Sequence, residues 1–135
     1  RGADGGPWNS ICALPAFWVG LLYDQGALDA AWDLVKGWSI EQQQRLRDEV
    51  PRLGLKAACP HGGSLRDFAR EVLKVADGGL KARARLNGAG DTEQGFLNPL
   101  HEIVDSGLTP ADRLLAAYHG RWGGDLSRVY DEASF

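Results

Sequence analysis

Ser64-Leu-Arg-Asp-Phe-Ala-Arg-Glu-Val-Leu-Lys-Val-Ala-Asp-Gly-Gly-Leu80 decides how the rest of the chain is read. Leu65, Phe68, Ala69, Val72, Leu73, Ala76 and Leu80 recur at steps of three and four, which on a 3.6-residue turn is one continuous apolar stripe. Ser64 stands where an N-cap hydroxyl is needed. Gly78-Gly79 is expected to kink or end the helix, because each glycine costs about 1 kcal/mol relative to alanine there.

The same period extends in both directions. Residues 1–10 are glycine-rich, contain Pro7 and read as a loop. From Ile11 to Asp24 the residues Leu14, Phe17, Trp18, Leu21 and Leu22 have helical spacing, with Pro15 tolerated in a first turn. Gln25-Gly26 is a break. Ala27 to Lys36 places Leu28, Ala31, Trp32 and Val35 on one face and stops at Gly37. Ser39-Ile-Glu-Gln42 is a capping box, opening a helix that Pro51 should close. Residues 54–63 and Asn87–Gly90 read as loops. Asn98-Pro99 and Thr109-Pro110 are two further helix starts, with Leu100, Ile103 and Val104 facing inward and Gly107 as a stop. Trp18 and Trp32 are expected in the core, and Trp122, within Gly-Arg-Trp-Gly-Gly124, is expected to pin a glycine turn. Five to seven helices, no convincing strand and no repeat predict one all-α unit over residues 1–135.

Composition narrows the partners. The 44% hydrophobic and 24% charged residues are ordinary for a globular domain. A net charge of −3 supplies no basic stripe, which argues against nucleic acid; Arg83 and Arg85 read as a solvated helix end. No apolar run reaches the ~18 residues of a membrane helix. Cys12 and Cys59 are too few and too far apart for a disulfide framework, so free thiols in a reducing cytosol, and hence a cytoplasmic location, are expected. There is no Met, and the chain opens abruptly on Arg1. A piece of a longer polypeptide is the expected origin.

The residues show no chemistry of their own. His61, His101 and His119 lack metal-ligand spacing. No GxSxG elbow is present. Gly2–Gly6 lacks the Lys-Ser/Thr of a phosphate loop. Cys12 has apolar neighbours, which predict a buried, inert thiol.

Three ordered segments change that position. Arg1-Gly-Ala-Asp-Gly-Gly-Pro-Trp8 with Leu14-Pro-Ala-Phe-Trp-Val-Gly-Leu-Leu-Tyr-Asp24 resembles a stretch of the glutamate–cysteine ligases of the plant and proteobacterial type. So do Gly95-Phe-Leu-Asn98 with Glu102-Ile-Val and Ser106-Gly-Leu-Thr-Pro-Ala111. The third segment is Leu114-Leu followed by Tyr118-His-Gly-Arg-Trp-Gly-Gly124. The resemblance covers essentially the whole chain.

It implies an ATP-dependent ligase that joins glutamate to cysteine through a γ-glutamyl phosphate, with Mg²⁺, in glutathione biosynthesis. It implies that the chain is the helical C-terminal layer of a glutamine-synthetase-like α+β fold. The catalytic sheet and metal ligands would then lie outside this chain, which would be inactive alone. Arg1 matches the arginine of a Glu-x-Arg strand pattern. With Asp4 and Trp8 it is the expected substrate or phosphate contact, a guanidinium fork being suited to phosphoryl or carboxylate oxygens. Cys12 sits where plant members carry a cysteine associated with redox control. The expected partners are the remainder of the ligase and a second copy docked through an exposed apolar face. The alternative reading is a stand-alone helical interaction module without catalysis.

Overall fold

The computed structural model describes residues 6–86 and 88–132. Seven α-helices form there: α1 Trp8–Leu22, α2 Gln25–Val35, α3 Ile40–Leu53, α4 Leu65–Arg83, α5 Asn98–Ser106, α6 Pro110–His119 and α7 Arg128–Glu132. Two 3-10 turns, Gly54–Lys56 and Glu93–Leu97, lead out of α3 and into α5. Among the described residues the only extended pairings are two isolated bridges, Ala58 with Ser64 and Leu86 with Thr92. The all-α expectation holds.

The core is a thin layer between α1 and α4. Ala16, Leu21, Ala76, Leu80 and Leu97 are buried together, with Phe17, Val72, Val75 and Leu100 packed against them. The two helices meet through backbone. A Cβ on Gly20 would collide with the Ala76 carbonyl and lie 2.9 Å from Ala76 Cα. A Cβ on Gly79 would collide with the Gly20 carbonyl and lie 3.0 Å from Ala27 Cβ. Gly78-Gly79 therefore does not end α4, which runs unbroken to Arg83. The loss in helix propensity is offset by a closer approach than any side chain permits. Ala84, left-handed at φ 51°, ends α4 instead.

Side-chain bonds hold the remaining helices to this pair. Arg66 Nε donates to the Val104 carbonyl at 2.6 Å, and its Nη2 donates to the Asp105 carbonyl, capping the end of α5. His101 Nε2 lies 2.8 Å from Asp77 Oδ2, joining α5 to α4. α2 leaves α1 at 95°, its first turn capped by Asp24, which accepts from Ala27 N–H at 2.9 Å.

Several boundaries differ from the sequence reading. α1 begins at Trp8 rather than Ile11, because Pro7 adopts the extended N-cap geometry (φ −60°, ψ 155°). Pro15 consequently lies mid-helix, not in the first turn. α3 passes through Pro51 to Leu53 and ends at Gly54, whose positive φ of 54° breaks the helix. Asn98 is already helical (φ −50°, ψ −44°), continuing the 3-10 turn rather than capping α5. The Ser39–Gln42 capping box and the Gly107 stop are as expected.

The tryptophan assignments also change. Trp18 is 51% exposed and Trp32 63% exposed, so neither is core. Ala13, Ala16 and Gly20 occupy the inner face of α1, and a tryptophan there would hold α4 away. Trp122 does pin its turn. It is 8% exposed, its backbone N–H donates to the Ala117 carbonyl at 2.9 Å, and Gly123 and Gly124 supply the positive φ that the turn requires.

The helix crossing predicts a sharp contrast between neighbouring glycines. Gly79→Ala is expected to lower the unfolding free energy by about 2 kcal/mol, the scale of forced overpacking against backbone. Gly78→Ala, with nothing within 4 Å of its Cβ, is expected to be neutral or to stabilise by up to about 1 kcal/mol. Urea unfolding of the two variants measures the difference.

Candidate functional site

Of the residues expected to bind substrate, Trp8 lies at the start of α1. Arg1 and Asp4 lie outside the described residues. Trp8 is the first residue of α1 and is 77% exposed, held out behind Pro7. Behind Trp8 the chain forms an apolar groove of about 820 Å³. Ile11, Leu14 and Phe17 of α1 make one wall, Phe68 and Val72 of α4 the floor, and Ile103 of α5 the far wall. Ser10 is the one polar side chain lining it. On the other flank of α1 lies a second groove of about 260 Å³ between Pro15, Val19, Leu80 and Phe96.

The ionisable groups serve structure. Asp67 Oδ2 accepts from Ser64 Oγ–H at 2.6 Å and from Ser64 N–H at 3.3 Å, while Asp67 N–H donates back to Ser64 Oγ at 3.2 Å. The Ser64 hydroxyl, then its backbone N–H, holds the Asp67 carboxyl below its ordinary range. Thr109 and Asp112 repeat the arrangement at 2.6, 2.9 and 3.2 Å, and the Thr109 hydroxyl lowers the Asp112 carboxyl in the same way. Glu132 Oε1 accepts from Trp122 Nε1–H at 2.5 Å and from Arg121 Nε–H at 3.2 Å. The indole donor foremost, then Arg121, lowers its carboxyl. Arg83 is not a bare solvated end: Nε lies 3.0 Å from Glu93, and the guanidinium sits over the Tyr23 ring.

The histidines and cysteines likewise have structural positions. Trp38 Nε1–H donates to His61 Nε2 at 2.6 Å, and the His61 ring also meets the Leu34 carbonyl at the end of α2. Cys59 is buried; Cys12 is only half-buried, on the wall of the smaller groove, so the expected burial of its thiol is corrected. Helical spacing of the small residues on α1 explains this, since Ala13 and Ala16 take the inner face. Among the described residues, no three His, Cys, Asp or Glu side chains converge to hold a metal ion. The described residues do not fit the Mg²⁺ that the resemblance implies. Among the described residues no single helix is long and apolar enough to cross a membrane.

The described residues form a helical layer bordered by apolar grooves. The chain belongs to the glutamate–cysteine ligases of family 2: the family model "Glutamate-cysteine ligase family 2 (GCS2)" matches residues 1–132. It is 46% identical over 132 residues to a chloroplastic glutamate–cysteine ligase of Solanum lycopersicum, which covers 98% of this chain and 24% of that enzyme. It is 48% identical to the chloroplastic enzyme of Arabidopsis thaliana over 98% of this chain and 24% of that enzyme. For the enzyme of Medicago truncatula the identity is 47%, over 98% and 25%. The chain thus spans about a quarter of the length of the curated relatives it matches. Their chloroplastic names overturn the cytoplasmic expectation, which rested on two unpaired cysteines. Free thiols indicate a reducing environment and not which compartment provides it.

Sequence reasoning missed the groove. Its signal was present: Ile11, Leu14 and Phe17 lie one turn apart, but apolar spacing does not say which side of a helix finds a partner.

The capping boxes predict an acid limit. A carboxyl held below its ordinary range stabilises the fold above about pH 4, and that contribution is lost as pH falls through the lowered value. Ser64→Ala removes the largest cause of the Asp67 shift. Acid unfolding followed by far-UV circular dichroism is expected to begin at higher pH in that variant than in the wild type.

Proposed function

We propose that the polypeptide to which this chain belongs joins glutamate to cysteine at the expense of ATP, the first step of glutathione biosynthesis. The γ-carboxylate of glutamate takes the γ-phosphoryl group of ATP and ADP leaves. The cysteine amine then displaces phosphate to form the amide. Family membership across residues 1–132 carries this reading. The activity belongs to the whole protein, in which residues 1–135 serve as one helical unit beside a glutamine-synthetase-like catalytic sheet. The chain spans about a quarter of the length of the matched relatives, which supports that division.

Arg1, Asp4 and Trp8 are the residues of this chain assigned to the substrate side. Arg1 is the phosphate or carboxylate contact, Asp4 orders the segment behind it, and Trp8 lines the opening. Trp8 supports this by standing exposed at the head of α1, next to the segment that carries the other two.

The test is ADP release by the intact protein, coupled to a spectrophotometric readout. Release is expected only when glutamate and cysteine are both present, and none is expected from the 135-residue chain by itself. Arg1→Lys keeps the charge and loses the two-pronged geometry, so kcat/KM is expected to fall by about tenfold or more. Unchanged kinetics in that variant would remove Arg1 from the site. An intact protein that releases no ADP with both amino acids would overturn the ligase reading.

A further inference from the structure

From Gly6 to Tyr23 the chain contains no charged residue, yet only one side of α1 is buried. Ala13, Ala16, Gly20 and Leu21 face α4. On the opposite side Trp8, Ile11, Pro15, Trp18 and Leu22 are exposed, at steps of three, four, three and four. They form an apolar crest along the full length of the helix. Its flanks are the two apolar grooves, one beside Ile11 and Leu14, the other beside Pro15 and Val19. A helix that is apolar all round is a buried helix, and exposed apolar surface of this extent marks a contact site.

We propose that the crest and both grooves are the docking surface for the part of the same polypeptide that lies outside residues 1–135, so that α1 is the central helix of the assembled protein. The length of that outside part is the first argument. Relatives matched over 98% of this chain are about four times as long, so ample chain exists to form a second layer. The chemistry of the surface specifies what covers it. Ser10 lines the larger groove, Cys12 and Glu93 the smaller one, and Glu93 is already paired with Arg83; with the Trp8 and Trp18 indoles these are its side chains with a polar or thiol group, so it has few hydrogen bonds to offer. A covering loop would bury backbone N–H and C=O groups without partners, at a cost of about 1–3 kcal/mol each. The occupant is therefore regular secondary structure, with its backbone bonds satisfied internally and an uncharged face turned to α1. A ridge between two grooves asks for a face with two raised rows and a trough between them. This inference deepens the ligase reading by naming the surface through which the segment joins the rest of the enzyme.

The test uses the intact protein. Ile11→Cys and Leu22→Cys place thiols at the two ends of the crest, and Lys74→Cys places one on the exposed outer side of α4. Maleimide labelling of the native proteins is followed by peptide mass spectrometry, which separates the new sites from Cys12 and Cys59. Positions 11 and 22 are expected to react at least about 100-fold more slowly than position 74, as buried sites that open only rarely do. Equal rates at the three positions would overturn the proposal. Protection that vanishes on dilution to a monomer by light scattering would also overturn it, because the cover would then be a second copy. Trp18→Glu and Lys74→Glu give a separate reading that survives loss of stability. A much larger drop in thermal midpoint for Trp18→Glu supports a covered crest, and equal drops contradict it. A protein that shields the crest but releases no ADP supports this inference and sinks the ligase reading alone.

Discussion

The contact between the backbones of α1 and α4 constrains everything else in this segment. Gly20 and Gly79 face each other across it with no room for a Cβ on either. Such proximity requires a lane of small residues on each helix, supplied by Ala13, Ala16 and Gly20 on one side and Ala76 and Gly79 on the other. The lane has a consequence for the large apolar residues of α1. They cannot lie where the helices touch, so they are displaced to the flanks and the far side. Phe17 fills a flank; Trp18 and Leu22 are left facing outward. The tight crossing and the exposed crest are two results of one packing choice.

The same choice explains which parts of the fold were legible in the sequence. The stripe on α4 was readable because its large residues all point toward protein, and Leu73, Ala76 and Leu80 are buried as the period demands. The capping boxes at Ser39, Ser64 and Thr109 were readable because they are local, each set by residues three apart. Trp18 and Trp32 were misread because size and hydrophobicity suggest a core position when the partner helix is not considered. Gly79 was misread for the complementary reason. A glycine looks like a helix breaker until another backbone is placed against it.

The candidate site was less legible than the fold, and the cause is physical. A binding site is made of side chains that converge from distant segments, and here convergence is largely apolar. Resemblance alone pointed to Arg1, Asp4 and Trp8, of which Trp8 lies in the described structure, exposed at the head of α1. Periodicity could locate the members of the large groove one helix at a time. Only the structure shows that Leu14, Phe68 and Ile103 share a wall and a floor.

The distribution of charge then separates support from chemistry. Asp67 and Asp112 are bonded to hydroxyls one turn away, and Glu132 to an indole and a guanidinium of the preceding turn. Lowered carboxyl values in these places come from capping and pinning bonds, not from crowding of like charges at a reaction centre. Perturbed carboxylates identify an active site only when several share one cleft. In this segment each perturbation is accounted for by its own helix end or turn, and although Asp112 and Glu132 both border a cleft with Arg113 and Arg121, the two grooves beside α1 are lined mainly by apolar side chains. A surface of that kind can pack against another layer of structure and exclude water from the contact.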